Sequence, residues 1–544
     1  MSKESGIFGL GKGVTLIIIL VAAFIGFTFL MGGGAELRGL VIARPAEGES
    51  LDPIQTVYDM DTMITSLIYE PLMTYNRNMN RIPMLAENWY CGEDEDGIFY
   101  EFKLREDVTF HCGYPFTAEA VAYTIRRAKT HSFSQQRESV EKISEVRILD
   151  KYTVRIYLSE EDRYILDKLS THSLPMICPH CAEKYGDKFG RGHACGTGPF
   201  KFKKWELRNK IVLERYENYR WGPEFCSNKG PANLKEITFL IVREDATREA
   251  KLERGEIDFV THVRASRALF DEWQAPDSGI KLYIQPGCSW VYIRFNCAGT
   301  ADHGYGYENG ELVGEVPKAV PKKVRQAIAL AIDENEIIDR ALAGAATPAH
   351  SWLADSVWGS IGYQEEMYPY DPERARQLLA EAGYPEGLEL ELLYYDDPNY
   401  KRVASVLVEQ LDEVGITLNT QQLQYTAFQD RVKKKDFNVI LKGWTWPFAD
   451  SLWYGWHTCR MPTPNRSHWG DNYTNQVMLD TYLMDDNLAL EAIHEAQWLI
   501  ADDAAAISIY HRPIKMAHRT YVKGFEIHPL AYNAWKFLDV YIEE

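Results

Sequence analysis

The stretch Leu388–Leu423, LELELLYYDDPNYKRVASVLVEQLDEVGITLNTQQL, reads as strand, helix, strand. Leu388–Tyr395 is a strand pattern. Val403, Val406, Leu407, Leu411 and Val414 then share one helical face, and Gly415 supplies the C-terminal stop. Ile416–Leu423 is the next strand. Outward from it, Thr426–Asp436 is helical and Phe437–Trp444 is a strand again. A β-α-β-α-β run implies a parallel sheet with right-handed crossovers. Upstream, Asp371 and Pro372 open a helix as N-cap and first-turn proline, and Gly383 and Pro385 close it.

The N-terminal half gives the same kind of reading. Leu40–Ala43 is a short strand, Thr62–Leu72 has helical apolar spacing, and the Phe99–Leu104 and Val154–Leu158 segments alternate as strands. Thr117 is an N-cap candidate ahead of Glu119 and Ala120. At 544 residues the chain exceeds one hydrophobic core, so two or three domains are expected. A formal net charge of -19 argues against a nucleic-acid partner, whose phosphates need a basic surface.

Val14–Met31, VTLIIILVAAFIGFTFLM, is uncharged and spans about 27 Å as a helix, enough for a thin bilayer. Lys3 and Lys12 precede it, which keeps the N-terminus inside and exports the body. An uncleaved transmembrane anchor is expected over a cleaved signal, although the small residues of GGGAEL permit cleavage. No second long apolar run follows.

The sequence has no phosphate loop, zinc-protease helix or nucleophile elbow, and the expectation is a protein that is not an enzyme and uses no cofactor. What stands out is Gly443–Cys459, GWTWPFADSLWYGWHTC, directly after a strand. Trp444, Trp446, Phe448, Trp453, Tyr454 and Trp456 fit a pocket wall at the carboxyl end of a sheet strand, with Asp450 as acidic anchor.

Several segments, in order, resemble the solute-binding proteins of peptide and nickel ABC transporters (bacterial extracellular solute-binding family 5). They are SLDPIQTVYDMDTMITSLIYEPLMTYN, LAENWYCGEDEDGIFYEFKLREDVTFHCGYPFTAEAVAYTIRRA, GTGPFKFKKW, REDATREAKLERGEIDFV, VYIRFN and VPKKVRQAIALAIDENEII. The resemblance implies an α/β, two-lobed periplasmic-binding-protein-like fold of the cluster C type. It carries an extra subdomain in the first lobe and is preceded here by one transmembrane helix. The expected division is 1–36 anchor or signal segment, 37–55 first strand of lobe I, 56–195 extra subdomain, 196–295 lobe I, 296–507 lobe II and 508–544 a return to lobe I.

The implied function is extracytoplasmic capture of a peptide or other small solute between closing lobes, for delivery to membrane permease subunits. The alternatives are an anchored structural subunit of a larger membrane complex and a cysteine-centred redox or metal protein. By position, the ligand-binding candidates add Thr56, Tyr58, Trp290, Tyr394, Tyr510 and Arg512 to Trp444, Trp446, Phe448, Asp450 and Trp453. Arg512 suits a carboxylate held in bidentate fashion. Two departures stand out. Cys112 replaces the aspartate of the family's F-H-D-G signature. Pro447 stands where peptide-binding members hold the ligand's ammonium with an aspartate.

Nine cysteines in an exported chain lead to disulfides as the expectation. A staple among Cys178, Cys181, Cys195 and Cys226 is expected, with Cys91–Cys112 as a second pair across a hairpin. A metal site from Cys178, Cys181, His193 and Cys195 is the alternative. C-P-H-C alone does not make a thioredoxin-type enzyme, because the thioredoxin fold is missing.

Overall fold

The computed structural model describes residues 37–544 apart from 57–58, 172–173, 264–266, 299–306, 309–310, 313–317, 363–366, 484 and 532–534. The Val14–Met31 run and Tyr58 therefore lie outside the described residues. Within them, no helix is long and apolar enough to cross a membrane.

One large mixed sheet runs through the molecule. At one end, Leu388–Tyr395 pairs in parallel with both Ile416–Leu423 and Val439–Thr445, as the alternating pattern requires. At the other end, Leu40–Arg44 pairs in parallel with Glu236–Ile241 and Phe259–Thr261. Two long antiparallel strands, Ile280–Phe295 and Ala506–Arg519, join the halves. Their register slips between Gln285 and Ser289. At that slip a side chain on Gly287 would lie 3.1 Å from Ile514 and 3.3 Å from the Arg512 carbonyl, so glycine fits the crossing.

The helix Pro398–Glu413 covers the second half's sheet on the face its apolar residues define, and the next residues keep to the predicted stop. Gly415 takes φ +90°, and Gly387 packs so closely that a Cβ would sit 2.2 Å from the Gly415 carbonyl oxygen. The helix opened by Asp371 is capped as expected, with the Asp371 carboxylate accepting from the Arg374 N–H. Apolar side chains gather into two main cores, one in each half. A separate four-stranded antiparallel sheet, Ala86–Asp94, Gly97–Leu104, Thr153–Leu158 and Ile143–Asp150, packs with the helix Ala118–Thr130 onto the first.

The helix expected over Thr62–Leu72 ends earlier, at Ile68. The Gly198 N–H takes the Ile68 carbonyl at 2.8 Å, and a Cβ at Gly196 or Gly198 would lie 2.1 or 2.3 Å from the Ile68 or Leu67 carbonyl oxygen. The following Glu70 is fully buried. It accepts from Thr197 at 2.9 Å, Tyr219 at 2.7 Å and the Trp221 indole at 2.8 Å, and pairs with Lys536 at 3.5 Å. The chain leaves the helix to satisfy that carboxylate, because a buried ion without partners is costly.

The expected disulfides do not form: none of the nine cysteines is joined in a disulfide. Cys91 is exposed on its strand, and Cys112 instead faces Cys178 with its sulfur 3.5 Å away. Cys226 is buried apart from that group. His193 is exposed and stacks on Tyr185 at 3.7 Å, outside the cysteine cluster.

Candidate functional site

The strand Val439–Thr445, parallel to Leu388–Tyr395 and antiparallel to Ile280–Phe295, ends the run, and the chain turns through Trp446–Asp450 into the short helix Ser451–Trp456. Arg294, fully buried, holds this turn: its guanidinium donates to the Gly455 carbonyl at 3.1 Å and lies 3.8 Å from the Trp456 ring centroid. Burial lowers its pKa to about 10. Trp446 stacks on Tyr454 at 4.9 Å, and Trp444 meets both at 6.3 and 5.9 Å. The Trp446 indole donates to Asp450 at 2.6 Å. Burial raises Asp450 to about 6 against the pull of Lys168 and that indole.

The aromatic turn reaches the other half. Phe448 packs near Tyr75, with centroids 6.2 Å apart. Arg460 lies over Tyr454 at 4.4 Å and pairs with Glu138 of the extra sheet's layer at 2.5 Å. Arg163 pairs with Asp486 at 2.6 Å and donates to the Leu483 carbonyl at 3.0 Å.

Beside the turn, where the long strands cross, a cavity of about 210 Å³ is lined by Gly287, Ser289, Asp397, Thr445, Arg512 and Leu530, among others. Arg512 donates to the Tyr400 hydroxyl at 2.7 Å, and that hydroxyl also accepts from the Gly443 N–H at 2.7 Å. Burial opposes the Arg512 charge, but Tyr400, Tyr510 and Asp397 outweigh it and hold its pKa above the ordinary value. Burial, then Arg466, Arg294 and Arg512, push the nearby Lys442 well below the usual ammonium range. This end of the second half is therefore locally cationic in a chain of net charge -19.

Of the sequence candidates, Arg512 and Tyr510 line this cavity. Trp444, Trp446, Phe448 and Trp453 are half-buried along the adjoining turn, and Asp450 is buried beneath it. Trp290 and Tyr394 are buried in the second half's core, Trp290 edge-on to Trp352 at 5.4 Å. Thr56 is buried and donates to the Pro53 carbonyl at 3.1 Å, closing its own loop. Sequence reasoning missed Asp397 and Tyr400. Asp397 caps the helix that follows a parallel strand, accepting from the Asn399 N–H, and the rule that ligands gather beyond the carboxyl ends of such strands points to it.

Two halves joined by paired crossing strands, with a polar cavity between them and an aromatic turn beside it, define a two-lobed binding protein. Residues 80–462 match the family model for bacterial extracellular solute-binding proteins, family 5 (its middle region), and the chain belongs to that family. It is a solute-binding component of an ABC importer and works outside the cytoplasm. The glutathione-binding protein GsiB of Escherichia coli O157:H7 is 26% identical over 530 residues, spanning 94% of this chain and 96% of its own. Among solved structures, the substrate-binding protein CtaP of Listeria monocytogenes superposes with a TM-score of 0.79 at 22% identity, covering 94% of this chain and 100% of its own. The oligopeptide-binding protein AppA of Bacillus subtilis, solved with a nonapeptide, gives 0.74 at 22% identity over 94% and 100%.

Proposed function

We propose that this chain captures a short peptide or a similarly small carboxylate-bearing solute between its lobes and hands it to its permease. The observation that carries the reading is the cavity between the halves, with Arg512 and Asp397 together on its wall. The two supply opposite charges for a zwitterion, and charge-assisted contacts to a carboxylate are the strong ones. A volume of about 210 Å³ is smaller than a drug-sized site of roughly 300–1,000 Å³, which favours a short solute over an extended peptide. The relatives include a glutathione binder and a nonapeptide binder, and the smaller of these ligands suits the cavity better. Pro447 offers no charge for an ammonium, so Asp397 takes that part and the Trp444–Tyr454 cluster packs the side chains. The boundaries near residues 295 and 507 separate the closing lobes, and Val14–Met31 tethers the body to the cytoplasmic membrane.

Native mass spectrometry of the purified chain, followed by thermal-shift screening against dipeptides, glutathione and neutral sugars, tests this. Stabilisation by carboxylate-bearing solutes, and none by sugars, is the expected result. A response to sugars alone overturns the reading. Membrane fractions from which alkaline washing releases the full-length chain would overturn the tether.

A further inference from the structure

The sulfurs of Cys112, Cys178, Cys181 and Cys195 all lie within 4.8 Å of one another. They come from three separate places. Cys112 sits in the turn before Gly113, which takes φ +89°. Cys178 and Cys181 lie at the N-cap and in the first turn of the helix Pro179–Tyr185. Cys195 precedes the glycine-bound segment that packs on Leu67 and Ile68. Backbone contacts fix these pieces to each other: the His111 N–H bonds the Gly196 carbonyl at 2.9 Å, and the Cys178 N–H bonds the Cys195 carbonyl at 3.4 Å. Cys178, Cys181 and Cys195 are buried, and Cys112 closes the outer side. There Tyr114 stacks on His180 at 4.2 Å and 13°.

Distance separates the two chemistries open to four gathered thiols. A disulfide brings sulfurs to about 2.05 Å, whereas Cys112 and Cys178 stand 3.5 Å apart. Four thiolates on a tetrahedral ion with bonds of about 2.3 Å have edges of about 3.8 Å. Four sulfurs mutually within 4.8 Å fit the second arrangement. Two disulfides need only two close pairs and give no reason for all four sulfurs to meet.

We propose that Cys112, Cys178, Cys181 and Cys195 form a tetrathiolate site for a structural divalent metal ion, zinc by its chemistry. Soft thiolates in a closed tetrahedral set select zinc over the hard oxygen-seeking cations. Each thiol gives its proton to solvent on binding, so occupancy rises with pH. The ion ties the Cys112 turn and the Cys178 helix to the strand entry at Cys195. None of the four residues lines the cavity between the lobes, so the ion is a staple and not the transported solute.

The test uses the full-length chain purified without chelator and under reducing conditions. Elemental analysis is expected to give a single equivalent of zinc, and cobalt(II) exchanged into the site is expected to show the intense bands of tetrahedral thiolate coordination. Cys112→Ser, at the exposed corner, is expected to weaken zinc affinity more than about tenfold while solute affinity stays within about twofold, which separates this site from the cleft. Cys181→Ser provides a second reading of the same loss if the first variant folds poorly. The proposal is overturned if the protein takes up neither zinc nor cobalt(II) after reconstitution, or if peptide mapping finds these four cysteines in two disulfides.

Discussion

Asp450 is under opposing demands: it must accept the Trp446 indole and still be buried. Its pKa moves from 3.8 to about 6, mainly through burial, which corresponds to about 3 kcal/mol between its protonation states. The folded state therefore holds the proton more tightly than the unfolded chain. The resulting stability is fully present below the unfolded pKa and is lost as pH rises through about 6. Asp61 is also raised to about 6, so the contribution of Asp450 is read as a difference. Denaturant titrations should show wild type gaining about 1–2 kcal/mol on Asp450→Asn between about pH 8 and pH 5. A difference that does not change with pH would remove Asp450 as the source. The aromatic residues around it were legible in the sequence because they crowd one short loop. Their division between wall and core was not legible: Trp290 and Trp444 look alike in sequence, and only packing puts Trp290 wholly inside.

At the scale of elements, Glu70 and the Gly196–Gly198 segment tie one helix end to the sheet. Removing the carboxylate by Glu70→Ala strands Lys536, whose ammonium burial already lowers. Breaking a buried pair from one side costs about 3–5 kcal/mol, so unfolding in urea should shift by that order. Gly198→Ala pushes a methyl against backbone, with no side chain able to yield, and should cost at least about 1–3 kcal/mol by the same measurement. The parallel units were legible because period and stop signals agree from Leu388 to Thr445. The early end of the Asp59–Ile68 helix was not, because the partners of Ile68 and Glu70 there, Gly198, Thr197, Tyr219 and Trp221, lie far along the chain. The cysteines divide the same way. Local spacing showed Cys178 and Cys181, while Cys112, 66 residues from Cys178, joins only through the tertiary fold.

For the whole molecule, the contacts across the cleft include Arg460–Glu138, Arg163–Asp486 and Phe448 with Tyr75, beside Tyr164 packed edge-on to Tyr482 at 4.9 Å. In both ion pairs the arginine is largely covered and the carboxylate is exposed to solvent, and such screened pairs contribute about 0–1 kcal/mol each. Arg163→Ala with Arg460→Ala should therefore weaken solute binding by only about two- to thirtyfold and leave the melting midpoint of the unliganded protein nearly unchanged. Small-angle scattering should show the double variant more extended with solute than wild type. A binding loss far beyond that range would mean these arginines touch the solute. The two-lobed plan was recoverable from the order of segments in the sequence, but the meeting of Ser289, Asp397 and Arg512 on the cleft wall was not, because those residues come together only in the tertiary fold.

The most direct test of solute capture is a pair of calorimetric titrations with the best-binding carboxylate solute, on wild type and on Arg512→Ala, each with its melting curve. Losing a charge-assisted contact of about 1.5–3 kcal/mol predicts roughly 10- to 150-fold weaker binding by the variant, with folding retained. Equal affinity in the two proteins would contradict capture at this cleft.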